Sequence, residues 1–228
     1  MGEVARGAGR HAEAERHFAR ALVLLQRAGR AESALAMAAL NGLGMVHKYQ
    51  GRFVEGRSAY RSALAIARSR FAEGHPAFAT LYHNLGGIEH AHGRFARALP
   101  LARHGLAIRE RSLGSGHLEV ARDRAAIAAI LDGLGRHAEA EALHREALSS
   151  FRRRWPARRH DAAVTLANLA ACLHAQGSVA EAERLADEAA ALSRAVLGES
   201  HPETRLARAN LAAIRVARER ASVTAEPV

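Results

Sequence analysis

The chain has little of several things, and each shortage excludes something. One cysteine, Cys172, stands among 228 residues, which rules out a disulfide framework and any cluster built on several cysteines. Aromatic residues make up 4 %, and β-branched residues are scarce. That composition argues against sandwiches, barrels and doubly wound sheets. No apolar run approaches the roughly 18–20 residues that span a bilayer, so no membrane partner is expected. The opening stretch Met1-Gly2-Glu3-Val4-Ala5-Arg6 has no apolar core of a signal peptide, and a cytoplasmic location is the expectation. Arg6 stands where a myristoylation signal would need Ser or Thr. Lysine is almost absent too: of 33 basic residues only Lys48 is a lysine.

Chemistry-bearing motifs are equally sparse. There is no His-Glu-x-x-His, no serine triad, no phosphate loop and no dinucleotide fingerprint. The 14 histidines raise the question of metal, but the closest pair, His90 and His92, sits at i,i+2, which places the rings on different faces of a helix. Cys172 falls in an apolar helical column and reads as a small buried hydrophobe. The sequence therefore predicts no enzyme, no cofactor and no metal site.

What is abundant is alanine, with 54 residues, and arginine, which gives a formal charge of +10. Both become informative through a repeat. Gly-Arg-His/Phe recurs at Gly9, Gly51, Gly93 and Gly135, with a weaker copy at Gly177, always 42 residues apart. Leu43, Leu85, Ile127, Leu169 and Leu211 keep the same period, each followed by Gly or Ala. Ala14, Gly56, Ala98, Ala140 and Ala182 form a further small column, and so do Ala21, Ala63, Gly105, Ala147 and Ala189.

Each period reads as two helices. In one unit, Pro76 suits a first helical turn. Leu81, Leu85 and Ile88 follow helical spacing, and Gly93 suits a left-handed helix end. A second helix over 95–113 follows, with Pro100 predicting a kink or a late start. Small columns let two helices approach closely, and a lone pair cannot bury its apolar face, so units must stack. The predicted fold is all-α: a right-handed α-solenoid of antiparallel helix pairs, about ten helices in all. The expected organisation is a disordered 1–8, a half repeat 9–30, full repeats 31–72, 73–114, 115–156 and 157–198, a capping helix 199–221 and a disordered tail 222–228. The opening half repeat reads as a helix B that lacks a helix A before it.

These columns resemble the tetratricopeptide repeat (TPR). The 42-residue period, with His75-Pro76, Asn84-Leu85-Gly86 and Gly135-Arg136-His137-Ala138-Glu139-Ala140-Glu141, is similar to the kinesin-light-chain type of TPR superhelix. The resemblance implies a protein-binding scaffold that takes a peptide or protein segment in a concave groove lined by helix A of each repeat. Carried over column by column, that groove would comprise Asn41, Lys48, Tyr49, Thr80, His83, Asn84, His90, Arg122, Asp132, Asn168, His174 and Asn210. In this type the Asn before the Leu is expected to bond a peptide main chain, for which an amide offers both donor and acceptor. Asn84, Asn168 and Asn210 match. Asn41 is one residue out of register, and Ala126 departs from the column. The competing reading has these amides tie adjacent helices together.

The positive charge favours an acidic partner. Its densest run is Arg152-Arg153-Arg154-Trp155-Pro156-Ala157-Arg158-Arg159, read as a solvated edge or a site for an acidic partner or nucleic acid. Without aromatic interleaving elsewhere, nucleic acid is the weaker partner. A sensor segment of a larger signalling protein is the other alternative, and a monomer or weak self-association through open repeat ends is expected.

Overall fold

The computed structural model describes residues 1–7, 10–154 and 157–224; among them are eleven α-helices and no strand. They fall into two compact units, 1–115 and 116–228. The first holds α1 (Gly2–Gly7), α2 (His11–Arg27), α3 (Ala34–Tyr49), α4 (Phe53–Arg70), α5 (Pro76–Ala91) and α6 (Phe95–Leu113). The second holds α7 (Leu118–Gly133), α8 (His137–Arg152), α9 (Arg159–Ala175), α10 (Val179–Leu197) and α11 (Pro202–Thr224). Within each unit consecutive helices pack on one another, and α3 also touches α5, α7 touches α9, and α9 touches α11. This is the stacked antiparallel helix-pair arrangement of an α-solenoid, as the repeat predicts. No helix among the described residues is long and apolar enough to cross a membrane.

The 42-residue glycine column is the punctuation. Gly51, Gly93, Gly135 and Gly177 all take positive φ, between 73° and 82°. At each, the next residue's N–H reaches back to a carbonyl of the last helical turn, as Arg94 does to Glu89 at 2.8 Å and Arg136 to Leu131 at 2.9 Å. This is the helix-ending geometry that glycine adopts without steric penalty. Gly9 lies outside the described residues.

Helix starts use a second column. His75, His117 and His201 each accept the N–H of the residue two positions on through ring Nδ1, at 3.2, 3.2 and 3.3 Å. The helix-B starts are built differently. Arg10, Arg52 and Arg136 pair with Glu13, Glu55 and Glu139 in the first turn, where acidic charge also complements the helix dipole.

The small columns seat large neighbours. A Cβ on Gly42 would lie 2.4 Å from the Phe18 ring, and one on Gly44 2.5 Å from Tyr60. Gly86 backs onto Ala102 at 3.1 Å. The first unit's core joins Tyr60, Phe78, Leu81, Leu85 and Ile88. The second unit's core is Leu- and Ala-rich, around Leu148, Phe151, Leu166, Leu169 and Leu173.

Three expectations are corrected. Residues 2–7 are not disordered but form α1, which raises the helix number to eleven. Ala5 is buried with Ala14 and Phe18, and Gly2 lies so close that a Cβ would meet the Phe18 ring at 2.7 Å. The large Phe18 thus recruits a short helix to cover it, in the place where helix A was thought missing. At the other end α11 runs on to Thr224, past the expected boundary at 221. Residues 225–228 of the expected tail lie outside the described residues. Finally, α6 begins at Phe95 and carries the exposed Pro100 inside it, so of the kink and the late start expected there, the late start is excluded.

Candidate functional site

The sequence-predicted groove residues all lie on helix-A elements, α3, α5, α7, α9 and α11. Their surroundings sort them into different roles. On α3 and α5, Asn84 donates from Nδ2 to Asn41 Oδ1 at 2.7 Å. The residue out of register is therefore the partner of the one in register, and the pair ties two neighbouring A helices. Lys48, also on α3, is half-buried. Burial lowers its ammonium from the ordinary lysine value, and its Nζ lies 3.4 Å from where a Cβ of Gly87 would stand. No anion pairs with it among the described residues. Tyr49 is exposed and stacks on His11, with centroids 5.3 Å apart and rings 9° from parallel. Thr80 is exposed, His83 is half-buried, and His90 meets Phe95 edge to face at 5.4 Å.

In the second unit Asn168 on α9 and Asn210 on α11 are half-buried, and their amides have no hydrogen-bond partner among the described residues. This separates them from Asn84. His174 is half-buried, and its Nδ1 is fully buried without a partner. Two other expected groove residues are spent internally. Arg122 forks onto Asp161 at 3.3 and 3.2 Å and reaches Glu119 at 2.7 Å. Asp132 accepts from His137 Nδ1 and His144 Nε2, both at 3.1 Å.

Asp132 heads a cluster that sequence reasoning missed. Burial alone would raise its carboxyl, but hydrogen bonds from His144, Cys172 and His137 outweigh that and hold it below the ordinary aspartate value. Cys172 is buried, with its Sγ 3.2 Å from the His137 carbonyl oxygen. Burial, with the Asp132 carboxylate beside it, pushes the thiol up to about 12. The reading of Cys172 as a plain buried hydrophobe is thus incomplete: it is buried, but among polar partners. No spacing rule finds this cluster, because its members come from three helices and are up to 40 residues apart in sequence (132 to 172).

A second missed network is in the first unit. Glu15 on α2 accepts from Arg52 at 2.7 Å and Gln50 at 3.0 Å and lies 3.2 Å from His47. Burial opposes ionisation, yet these hydrogen bonds and the Arg52 charge lower its carboxyl to about 2. Glu89 is buried and pairs with Arg57 at 3.0 Å.

The basic run at 152–159 is largely consumed by its own surroundings. Arg152 pairs with Glu188 at 2.6 Å, Arg153 donates to Ser149 and Ser150, Arg154 to the Gly116 carbonyl, and Arg158 pairs with Asp161 at 3.7 Å. Trp155 and Pro156 lie outside the described residues. Arg152 and Arg158 are thus ion-paired, whereas Arg153 and Arg154 donate to neutral groups there and keep their charge.

Comparison with known proteins agrees with the geometry. The family profile described as tetratricopeptide repeat matches residues 1–69, 35–111, 77–153 and 161–222. No curated protein matches the chain by sequence. Among solved structures, BtubC (BKLC) from P. vanneervenii is similar at 22 % identity and TM-score 0.70, over 96 % of this chain and 92 % of that one. The nearly identical kinesin-light-chain TPR-like repeats of Podosopora anserina align at 20 % identity and TM-score 0.67, over 81 % and 88 %. YrrB, a TPR protein with an unusual peptide-binding site, aligns at 17 % identity and TM-score 0.53, over 91 % and 88 %. At these identities the likeness is one of fold.

Proposed function

The chain belongs to the tetratricopeptide repeat family, and on that premise we propose that it is a non-enzymatic interaction scaffold whose helix-A faces bind an extended segment of a partner protein. The observation that carries this is the contrast among the asparagines. Asn168 and Asn210 repeat at the 42-residue period, are half-buried, and have no partner among the described residues. Neither amide is among the buried polar groups that lack a partner, so both stay open to solvent and to a ligand rather than being spent within the fold. An extended peptide main chain suits them, since its N–H and C=O groups match the two halves of an amide. Asn84 and Asn41 satisfy each other and set the spacing of α3 and α5 instead.

Lys48 supplies the preference for acidic segments in the first unit. It is a half-buried cation without a counter-ion, and an incoming carboxylate relieves that arrangement. Thr80, His83 and His90 extend the same face along α5. Arg122 and Asp132, already engaged, are left out of the contact surface. The peptide-binding site of YrrB, a TPR protein of similar fold, supports this reading.

The test uses the full chain against immobilised arrays of acidic and neutral peptides. Replacing both Asn168→Ala and Asn210→Ala should lower affinity for the bound peptides about tenfold or more, roughly 1.4 kcal/mol, with helicity unchanged. Lys48→Met should erase the preference for acidic over neutral peptides. Unchanged affinity in the double variant would sink the assignment.

A further inference from the structure

The columns of the repeat show where one unit has been rewritten. Asp132, His137, His144 and Cys172 correspond, one period earlier, to His90, Phe95, Ala102 and Ile130, and one period before that to Lys48, Phe53, Tyr60 and Ile88. One period later they correspond to His174, Val179, Ala186 and Ile214. The His144 column holds Phe18, Tyr60, Ala102 and Ala186 elsewhere and the Cys172 column Val46, Ile88, Ile130 and Ile214, while the His137 column also holds His11; in this unit alone His, His, Cys and a carboxylate come together. The structure brings them together from the end of α7, the first two turns of α8 and the last turn of α9. Ligand atoms of Asp132, His137 and Cys172 lie within 4.8 Å of one another.

We propose that Asp132, His137 and Cys172 form a binding site for a divalent transition-metal ion of the zinc class. The donor set is a carboxylate oxygen, an imidazole nitrogen and a thiolate sulfur, all of which zinc accepts in tetrahedral coordination. Zinc bond lengths set tetrahedral ligand atoms roughly 3.3–3.6 Å apart. Asp132 Oδ1 and His137 Nδ1 are 3.1 Å apart, so a small outward adjustment seats an ion between them. His137 binds through Nδ1 with its ring proton on Nε2. Coordination of Cys172 releases the thiol proton to solvent, and the two anions that result balance the charge of the ion.

His144 acts as a positioning residue. It is fully buried, and its Nε2 lies 3.1 Å from Asp132 Oδ2, the oxygen not facing His137. A hydrogen bond to the far oxygen of a ligating carboxylate is the usual second layer of a metal site. Asp132 and His137 are partly exposed, at 21 % and 31 % of the side chain, so an ion can enter and a fourth position is open to water or a partner's side chain. The ion would fasten the α7–α8 turn to α9 within this unit.

Cobalt titration of the full, chelator-treated chain tests this directly, because Cys172 is the only thiol in the sequence. One equivalent of Co²⁺ should produce a thiolate-to-cobalt charge-transfer band and tetrahedral ligand-field bands, and Zn²⁺ should abolish them. Cys172→Ser should remove the charge-transfer band, and His137→Ala should weaken Co²⁺ binding at least tenfold. His144→Gln, which keeps a donor toward Asp132, should bind 10–100-fold more weakly while circular dichroism shows native helicity. Cobalt binding without a thiolate band overturns the proposal, and so does a band of unchanged strength and affinity in His137→Ala. Either result leaves the cluster as a hydrogen-bonded latch.

Discussion

At the scale of single residues, the glycines inside the A helices are of two kinds, and the structure predicts opposite outcomes for them. Gly44 faces the Tyr60 ring at a distance no Cβ tolerates. Tyr60 is among the largest fully buried side chains, so the neighbour cannot yield. Gly44→Ala should lower stability by about 1–3 kcal/mol through overpacking. Gly87, one period and one residue further on, meets only the flexible end of Lys48 at 3.4 Å. Gly87→Ala should raise stability by about 0.5–1 kcal/mol, the helix-propensity gain of alanine over glycine. Denaturant midpoints of the two variants check both signs. Glu15 gives a pH prediction on the same footing. Its folded value of about 2 lies below the ordinary 4.5, so its stabilising contribution is fully present above about pH 4.5 and is lost as pH falls toward 2. Glu15→Gln should cost about 1–3 kcal/mol at pH 7. The variant's stability should also fall less steeply than the parent's between those two pH values, as urea unfolding at a series of pH values would reveal.

At the scale of helices, the histidines in front of the A helices turn a loop column into a capping device. His117→Ala should destabilise α7 and the chain by about 0.5–2 kcal/mol, while His117→Asn, a preferred N-cap, should recover most of it; thermal unfolding of the pair decides. This column also marks how far the sequence can be read. Helix type and order were legible, because the 42-residue glycine column supplies the positive φ that ends α3, α5, α7 and α9 and the small columns impose close packing. α1 was not legible, because six residues carry no periodicity of their own; the helix exists to cover Phe18. The Asn41–Asn84 bond was hidden for a related reason. Alignment treats residues 41 and 84 as different columns, yet 43 residues of separation bring the two amides to 2.7 Å. The Asp132–His137–Cys172 cluster was invisible to motif spacing and emerged only once the α7–α8 turn was seen against α9. Asp132 itself was counted as a groove residue because its column also holds Lys48, His90 and His174, which says nothing about where the side chain turns.

At the scale of the whole chain, the stability of a repeat array is close to a sum of unit stabilities and nearest-neighbour terms, and unlike units should unfold unlike one another. The first unit's core rests on Tyr60, Phe78 and glycines fitted against rings, and it includes the buried Glu89–Arg57 pair. The second unit's core is a Leu and Ala lattice with Phe151. The sequence supplies a separate natural probe for each unit. All three tyrosines, Tyr49, Tyr60 and Tyr82, fall in 1–115, and the single tryptophan, Trp155, falls in 116–228. Equilibrium unfolding in urea should therefore give transitions that do not coincide when followed by tyrosine and by tryptophan fluorescence, with circular dichroism tracing a broad curve between them. Gly44→Ala should move the tyrosine transition to lower urea and leave the tryptophan transition nearly in place. Coincident transitions in the parent, or equal shifts of both probes in Gly44→Ala, would mean that the chain unfolds as a single two-state body and that the difference in core composition has no thermodynamic consequence.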